Sequence, residues 1–341
     1  MKNDDNSRLL SIIKQFKDVP IVVAGDLILD HYIWGKVDRI SPEAPVVVVK
    51  VTEESKRPGG AGNVANNLVS LGAKVAICGV VGDDENGRAL LSMFGDAGVD
   101  TEGILVDRTR PTSVKTRVIA HAQQVVRVDR EETHVLSPAY AEGVSGVLRS
   151  KFREAKGIII SDYGKGTMCA PVFDCIRSGY EQGFLGFGKV PVLIDPKMRN
   201  FSLYSRATVI KPNRSEAQEA SSIPIANRQQ AIEAAKVLLQ KWNCEMVLIT
   251  LGEEGMALVS TAGGKEVEAI ESDTLAREVY DVSGAGDTVS AVFLLALAVN
   301  ASLRDAAWLA NIAAGIVVRE IGTVAVSHEE LGGEVERLGE V

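Results

Sequence analysis

Short apolar runs alternate with stretches of helical periodicity along most of this chain. The apolar runs are nearly continuous and rich in Val and Ile, which is typical of strands buried on both faces. The predicted strands are Ile21–Ala24, Val75–Val81, Ile158–Ser161, Val192–Asp195, Thr208–Lys211 and Met246–Thr250, and the predicted helices include Asn63–Ser70, Gly87–Ala97, Ala139–Arg153 and Gln229–Trp242. This alternation predicts an α/β fold with a doubly wound, mostly parallel sheet.

Two segments depart from the alternation. Val46–Val51 is a nearly pure β-branched run, and Ser113–Ala120 with Gln124–Asp129 alternates like a hairpin. Consecutive strands without helices predict a small β-sheet lid, formed from about residues 31–51 and 111–129. Around one domain at 19–330 we expect an N-terminal extension at 1–18 and a C-terminal tail at 331–341. The glycine-rich Ser178–Lys189 is predicted to be an irregular surface loop.

Composition and charge exclude several classes of protein. The 341 residues carry a net charge of −8, with 5% aromatic residues and no basic tract, which argues against a nucleic-acid surface. The N-terminus has no apolar signal-peptide core, and the apolar helical run Val289–Val299 is too short to span a bilayer. Cys78, Cys169, Cys175 and Cys244 lack C-x-x-C spacing, so we expect reduced thiols in a cytoplasmic protein.

The segment Asp281–Thr288, with the sequence DVSGAGDT, precedes that apolar helix. Small residues that open a helix leave backbone N–H groups pointing one way, and the helix dipole adds positive potential, so this segment predicts an anion site. A carboxylate is costly beside an anion, and Asp287 is therefore a candidate base that deprotonates a hydroxyl attacking a phosphoryl group. The alternative is that Asp287 merely caps a core helix.

Glycine-rich turns elsewhere are less specific. Gly82–Gly87 lacks the Lys and the hydroxyl of a nucleotide P-loop, which indicates a tight strand-to-helix turn. Gly60–Ala65 resembles a dinucleotide fingerprint, but it follows the polar stretch Thr52–Arg57, which we do not predict to be a strand. Gly60–Ala65 has two interpretations. It either allows close backbone packing, or its backbone amides and the Asn63 side chain donate to a polyhydroxylated ligand.

Two carboxylates, Asp26 and Asp30, follow the first predicted strand. Ligands bind at the carboxyl ends of strands in open α/β sheets. Asp26 and Asp30 are natural acceptors for sugar hydroxyls, and the alternative is a solvated loop.

Five motifs occur in a recognisable order: Pro58–Ala65 (PGGAGNVA), Gly82–Gly87 (GDDENG), Lys211–Glu216 (KPNRSE), Thr250–Gly255 (TLGEEG) and Asp281–Asp287 (DVSGAGD). Their order resembles that of the ribokinase-like carbohydrate kinases of the phosphofructokinase-B type, over about Val19 to Ser327. The resemblance implies a ribokinase-like fold and an ATP-dependent sugar kinase that uses Mg²⁺.

The resemblance also implies a role for each motif. Gly284, Ala285 and Gly286 would form the anion hole, and Asp287 would be the catalytic base. Asn213 and Glu216 would organise the ATP phosphates and Mg²⁺, the latter through water. The remaining implied nucleotide-binding residues are Arg214, Ser215, Thr250, Gly252, Gly255, Asn311 and Gly315. Asp281 and Ser283 match positions that often hold a monovalent cation, so K⁺ is a further expectation.

Motifs in the N-terminal half and centre resemble a narrower group. Gly25–Asp30, Arg39–Val46, Arg57–Gly60, Ser161–Gly166 and Asp195–Lys197 are similar to segments of the heptose 7-phosphate kinases of bacterial lipopolysaccharide precursor synthesis. Because the chain ends at Val341, soon after the kinase motifs, we expect the stand-alone kinase type. The acceptor implied is D-glycero-β-D-manno-heptose 7-phosphate, which would be phosphorylated at O1.

A phosphorylated acceptor needs cationic partners in an acidic protein. Lys165 and Lys197 follow predicted strand ends and Arg127 lies on the lid hairpin, so the three are predicted to form a phosphate clamp, although each alone could be a solvated surface charge. The complete predicted substrate set adds Asp26, Asp30, Gly59, Gly60 and Asn63 to these cations.

Three other functions and one assembly remain open at this point. The chain could be a kinase for another sugar, a non-catalytic sugar-binding protein on the same fold, or an NAD-dependent dehydrogenase that uses Gly60–Ala65. An exposed lid edge such as Val46–Val49 would be an aggregation hazard. We therefore expect a homodimer through the lid.

Overall fold

The computed structural model describes residues 3–121, 123–261, 268–272, 282–320 and 322–339. Its main sheet has nine strands in the order β13-β12-β11-β10-β9-β8-β1-β4-β5, parallel from β11 to β5 and antiparallel at β12 and β13. These strands are β1 Pro20–Gly25, β4 Lys74–Gly82, β5 Asp100–Asp107, β8 Gly157–Ser161, β9 Val192–Asp195, β10 Val209–Ile210, β11 Met246–Thr250, β12 Met256–Ser260 and β13 Glu268–Ser272. The predicted doubly wound sheet is confirmed.

The small lid sheet is also confirmed, with longer strands than predicted. Its order is β3-β2-β6-β7, and its strands are β2 Leu27–Ile40, β3 Val47–Gly60, β6 Ser113–Ala120 and β7 Gln123–Arg130. The sequence prediction for Thr52–Arg57 was wrong, because these polar residues are part of β3 and pair with β2. One face of the lid is open, so its strands tolerate charges that a core strand excludes.

Helices cover both faces of the main sheet. They are α1 Asn3–Lys14, α2 Ala61–Ser70, α3 Glu85–Asp96, α4 Pro138–Lys151, α5 Ala170–Glu181, α6 Arg214–Ser221, α7 Arg228–Trp242, α8 Ala285–Ala298, α9 Leu303–Val317 and α10 His328–Gly339. One core cluster joins one face of the sheet to α2, α8 and α9, and a second joins the other face to α4, α5 and α7. Burial of these apolar faces supplies the main driving force for the fold.

The two chain ends pack on the domain as helices. Leu9 and Phe16, in and just after α1, and Leu331 on α10 belong to the same buried cluster. The guanidinium of Arg8 donates to the carboxylate of Asp305 at 2.9 Å. The segments expected as an extension and a tail therefore contribute to the core.

Three local predictions have clear outcomes. Ser178–Lys189 is only partly a loop, because α5 continues to Glu181 and Leu185 is buried. Asp84 caps α3 by accepting from Gly87 N at 2.8 Å, which confirms the tight turn after β4. The four cysteines are buried free thiols.

Among the described residues, none of the helices combines the length and the apolar composition that a bilayer crossing requires.

Candidate active site

Asp287 lies in the first turn of α8, where it is 3% exposed. Its two carboxylate oxygens accept from different parts of the chain: Asn63 Nδ2 donates to Oδ2 at 2.8 Å, and Tyr163 Oη donates to Oδ1 at 2.8 Å. Asn63 belongs to α2 and Tyr163 follows β8. The carboxylate is therefore held in one orientation by α2 and by the loop after β8.

The environment of Asp287 raises its pKa to about 7. Burial is the largest cause because it disfavours the charged form, and the carboxylate of Asp195 adds repulsion. The hydrogen bonds from Asn63 and Tyr163 and the charge of Lys211 act in the opposite direction. A carboxyl group with a pKa near neutrality is suited to accept a proton from a hydroxyl and to release it again.

The turn before α8 is built on a glycine and precedes the first hydrogen bond of the helix. Gly284 is the N-cap of the helix with φ 81°, and a Cβ there would lie 2.7 Å from Asn63 Nδ2, so both conformation and space favour glycine. The α8 ladder begins where Thr288 N donates to Gly284 O at 3.0 Å, so the amides of Gly286 and Asp287 precede it. We call Gly284–Gly286 the anion hole because a helix N-terminus of this form attracts negative charge.

Asp26 directly follows β1, as predicted, but its carboxylate has partners that the sequence did not indicate. Its carboxylate accepts three backbone N–H groups of one loop, from Tyr163 and Lys165 at 2.9 Å and from Thr167 at 3.1 Å. The side chain is 1% exposed. Asp26 therefore holds the loop that carries Tyr163, and the predicted contact with a sugar hydroxyl is not supported for this residue.

Asp30 lies on β2, on the inner part of the lid sheet. Arg117 Nη1 on β6 donates to its Oδ1 at 2.5 Å, and Gly59 on β3 leaves no room for a side chain because a Cβ would collide with the Asp30 carboxylate. Gly60 ends β3 and is the N-cap of α2, which carries Asn63. The structure thus brings Asp30, Gly59, Gly60 and Asn63 to the junction between the lid and the main sheet.

A cleft of about 1270 Å³ extends from Asp287 along the carboxyl ends of β9 to β11. It is lined by the anion hole and by every predicted nucleotide-binding residue: Asn213, Arg214, Ser215, Glu216, Thr250, Gly252, Gly255, Asn311 and Gly315. Its size fits a small-molecule ligand. The sequence motifs for the anion hole and the nucleotide therefore meet in a single cavity.

Asn213 and Glu216 bind each other as well as lining the cleft. Glu216 N donates to Asn213 Oδ1 at 3.0 Å, and Asn213 N donates to Glu216 Oε2 at 2.9 Å, which is a capping box at the start of α6. Burial raises the pKa of Glu216. Arg214 has a structural part too, since its guanidinium donates to Leu251 O at 3.0 Å.

The carboxylates present suit a hydrated magnesium ion. Among the residues described, there is no group of three or more His, Cys, Asp or Glu side chains that could hold a metal ion. Mg²⁺ commonly keeps several waters and needs only one or two carboxylates together with substrate phosphates. Glu216, with one oxygen committed to the cap, fits such an outer position. Ser283 is near the anion hole, whereas Asp281 lies outside the described residues.

The three cations predicted to form one clamp have different partners in the structure. Lys197 lines the cleft. Lys165 Nζ donates to Glu131 Oε1 at 2.6 Å, and Arg127, on the exposed strand β7, donates to Asp129 at 2.9 Å. The phosphate clamp therefore stays a prediction, and it would require Lys165 and Arg127 to leave acidic partners that the sequence pattern did not indicate.

Several residues at the site were missed from the sequence. Tyr163 lies inside the segment Ser161–Gly166, whose resemblance implied no role for the tyrosine, and its contact with Asp287 joins positions 124 residues apart. Lys211 and Asp195 end predicted strands, and their ion pair at 3.1 Å lies on the cleft floor. Two signals could have indicated these residues: each lies in a segment that carries the resemblance, and each follows or ends a predicted strand, where ligands bind in open α/β sheets.

Comparison with known proteins identifies the family. The profile of the pfkB family carbohydrate kinases matches residues 20–330. The "Bifunctional protein HldE" of Pelobacter propionicus is 46% identical over 327 residues, covering 96% of this chain and 65% of that protein. The protein of the same name from Helicobacter pylori strain J99 is 42% identical over 311 residues, covering 91% of this chain and 65% of that protein. The chain therefore spans about two thirds of the length of these relatives.

Solved structures share the fold. A ribokinase of Arabidopsis thaliana complexed with ribose and ATP has a TM-score of 0.72 at 19% identity, covering 94% of this chain and 99% of that one. Phosphofructokinase-2 of Escherichia coli in complex with fructose-6-phosphate has a TM-score of 0.73 at 18% identity, with the same coverage of 94% and 99%. The ribokinase-like fold is thus confirmed. Together with the profile match over most of the chain, these findings show that the chain belongs to the pfkB family of carbohydrate kinases and is an ATP-dependent sugar kinase.

Proposed function

We propose that this kinase transfers the γ-phosphoryl group of ATP to O1 of D-glycero-β-D-manno-heptose 7-phosphate. The product would be the 1,7-bisphosphate, for ADP-heptose and lipopolysaccharide core precursor synthesis. The observation that carries the reaction type is Asp287, a buried carboxylate held by two donors beside the anion hole. The choice of acceptor is supported by the N-terminal motifs and by the similarity to proteins named HldE.

In the proposed reaction, the acceptor lies between the lid and Asp287 while the nucleotide occupies the cleft. The O1 oxygen forms a bond to Pγ, the bond from Pγ to the bridging β–γ oxygen breaks, and ADP leaves with the electron pair. Asp287 accepts the O1 proton. The amides of the anion hole stabilise the charge on the transferring group, as donors fixed before the reaction do most effectively.

Bound Mg²⁺ would neutralise charge on the ATP phosphates, with Glu216 holding its hydration shell. Asn63 and Asp30 are proposed to bind acceptor hydroxyls, with Gly59 and Gly60 giving the ring close access to the backbone. Lys165 and Lys197 are proposed to bind the 7-phosphate, which requires Lys165 to leave Glu131. A monovalent cation such as K⁺ is proposed near Ser283 and Asp281.

We also propose a cytoplasmic homodimer formed through the lid. The lid carries apolar side chains that are open to solvent in the single chain, among them Val47 at 43% and Val128 at 57% exposure. An open sheet edge with such side chains is prone to pair with another strand, and a second lid would cover it. The four buried thiols fit a reducing compartment.

A direct assay tests the substrate. ATP consumption is measured with heptose 7-phosphate, fructose 6-phosphate, ribose and adenosine, each at several concentrations. The proposal expects the highest kcat/KM with heptose 7-phosphate. A higher value with another sugar would reassign the acceptor within the same family, and no turnover with any acceptor would favour a non-catalytic sugar-binding protein.

A further inference from the structure

A buried lysine lies beside the anion hole. It opens the motif Lys211–Glu216, but neither the resemblance nor the proposed function gives it a role. Lys211 follows β10, lines the cleft and has a side-chain exposure of 3%. Its Nζ is 3.1 Å from Asp195 Oδ2. Removing an ammonium group from water is costly, so a lysine at this depth requires partners of opposite charge.

The Nζ atom of Lys211 lies close to the first turn of α8. A Cβ built on Gly286 would lie 3.4 Å from Lys211 Nζ, so the ammonium borders the glycine at the centre of the anion hole. Asp287 is close enough for the Lys211 charge to lower its pKa. The ammonium is therefore close to the first turn of α8, which carries both the carboxylate that would take the proton and the amides that would receive the phosphoryl oxygens.

The ion pair with Asp195 does not use the whole ammonium. Lysine offers three donors, and among the described residues Asp195 is the one ionic partner of Lys211. Asp195 Oδ2 also accepts from Ser290 Oγ at 3.1 Å, which holds the carboxylate against α8. Of the other basic residues that line the cleft, Arg214 is bonded to Glu254 and Leu251, and Lys197 is only half-buried.

We propose that Lys211 is a further catalytic residue whose ammonium contacts an oxygen of the transferring phosphoryl group. During transfer, negative charge on the oxygens of that group is stabilised from one side by the α8 amides and from the other by Lys211. No proton moves to or from Lys211. The new bond is that between O1 and Pγ, ADP takes the electron pair of the broken bond, and Asp287 takes the O1 proton.

A structural alternative makes a distinct prediction. If Lys211 only neutralises Asp195, then removing both charges should restore whatever the removal of Lys211 costs. Three variants separate the two cases: Lys211→Met, Asp195→Asn and the double variant, with the surface change Lys236→Met as a matched control. The double variant has no unpaired buried charge at this position. It can therefore be compared with Asp195→Asn even if Lys211→Met alone does not fold.

Turnover is the first readout. We expect Lys211→Met to lower kcat by about 10²-fold, the scale of one lost oxyanion donor, with little change in the KM for the acceptor. The double variant should remain about 10²-fold below Asp195→Asn. Recovery of the double variant to the level of Asp195→Asn would overturn the proposal, as would a normal kcat in Lys211→Met.

Nucleotide binding is the second readout, and it does not depend on the identity of the sugar. Calorimetry with AMP-PNP and ADP, each with Mg²⁺, compares ligands with and without a γ-phosphoryl group. We expect the double variant, relative to Asp195→Asn, to lose about tenfold in AMP-PNP affinity and little in ADP affinity. Equal losses for both nucleotides, or no loss for either, would contradict a contact with the γ-phosphoryl group even if the heptose assignment is correct.

Discussion

Tyr163 and Asp287 are joined by a hydrogen bond of 2.8 Å between the phenol and the carboxylate. The bond links the loop after β8 to the first turn of α8, which are the two sides of the junction between lid and cleft. It also stabilises the ionised form of a carboxylate that burial would otherwise keep protonated. Tyr163 therefore affects both the orientation and the proton affinity of the proposed base.

Replacing Asp287 by Asn should remove the proton acceptor while keeping a side chain of nearly the same shape. We expect kcat to fall by about 10²–10⁴ and ADP binding to stay within a factor of about two. Steady-state kinetics and calorimetry measure these effects. Near-normal turnover in a folded Asp287→Asn protein would exclude Asp287 as the base.

Replacing Tyr163 by Phe should shift the acid limb of the pH profile. The base acts when ionised, and its pKa is about 7, so kcat/KM of the wild type should fall as the pH drops through about 7. Loss of the phenol donor raises the pKa of Asp287 further, so the fall should begin at higher pH in Tyr163→Phe. Tyr140→Phe, which removes a phenol bonded to Val106 O, is the control. An unshifted limb would show that this hydrogen bond does not tune the base.

Replacing Glu216 by Gln separates the metal role of this residue from its capping role. Gln at the third helical position can still complete a capping box, but it lacks the charge that orients hydrated Mg²⁺. We expect the Mg²⁺ concentration for half-maximal rate to rise several-fold while Tm stays close to that of the wild type. Glu219→Gln on the exposed face of α6 is the matched control. An unchanged Mg²⁺ dependence would exclude the metal role of Glu216 and leave only its role in capping α6.

The lysine clamp predicts a substrate-dependent effect. Lys197→Met and Lys165→Met should each weaken binding of heptose 7-phosphate by roughly 1.5–3 kcal/mol, the scale of a charge-assisted hydrogen bond. The binding of unphosphorylated heptose should weaken little in either variant, because this sugar has no 7-phosphate. Comparing both acceptors in both variants isolates the contact with the phosphate. Equal losses on the two sugars would remove these lysines from the phosphate site.

The lid dimer is testable by changing one exposed valine. Val128→Asp places a charge on β7 where the proposed partner lid would lie, so it should yield monomers at micromolar concentration. Val237→Asp alters a valine on α7 that is 41% exposed and should leave the dimer intact. Light scattering measures both masses. A monomeric wild type would disprove the dimer outright.

The central parallel strands of the main sheet were predictable because they are buried on both faces and therefore read as continuous apolar runs. Strands β5, β12 and β13 were not predicted, and β5 is only partly buried. The lid strands were predicted only in part, since Thr52–Arg57 is polar and its strand identity comes from pairing with β2. Asp287 and Glu216 could be proposed from the sequence because each lies in a short motif. Arg117 was missed because its partnership with Asp30 joins positions 87 residues apart. Local patterns carry no information about such distant pairs.

The three amides that converge on Asp26 have a consequence for turnover. They hold the loop of Tyr163 in place before any ligand binds. The conformational entropy of this loop is therefore lost during folding and does not have to be lost again in each catalytic cycle. The loop that carries Tyr163 is therefore expected to be a rigid part of the sugar site. Any adjustment to the shape of the sugar falls to the lid sheet, so differences in acceptor choice between related kinases should map to lid residues more than to the loop that Asp26 holds.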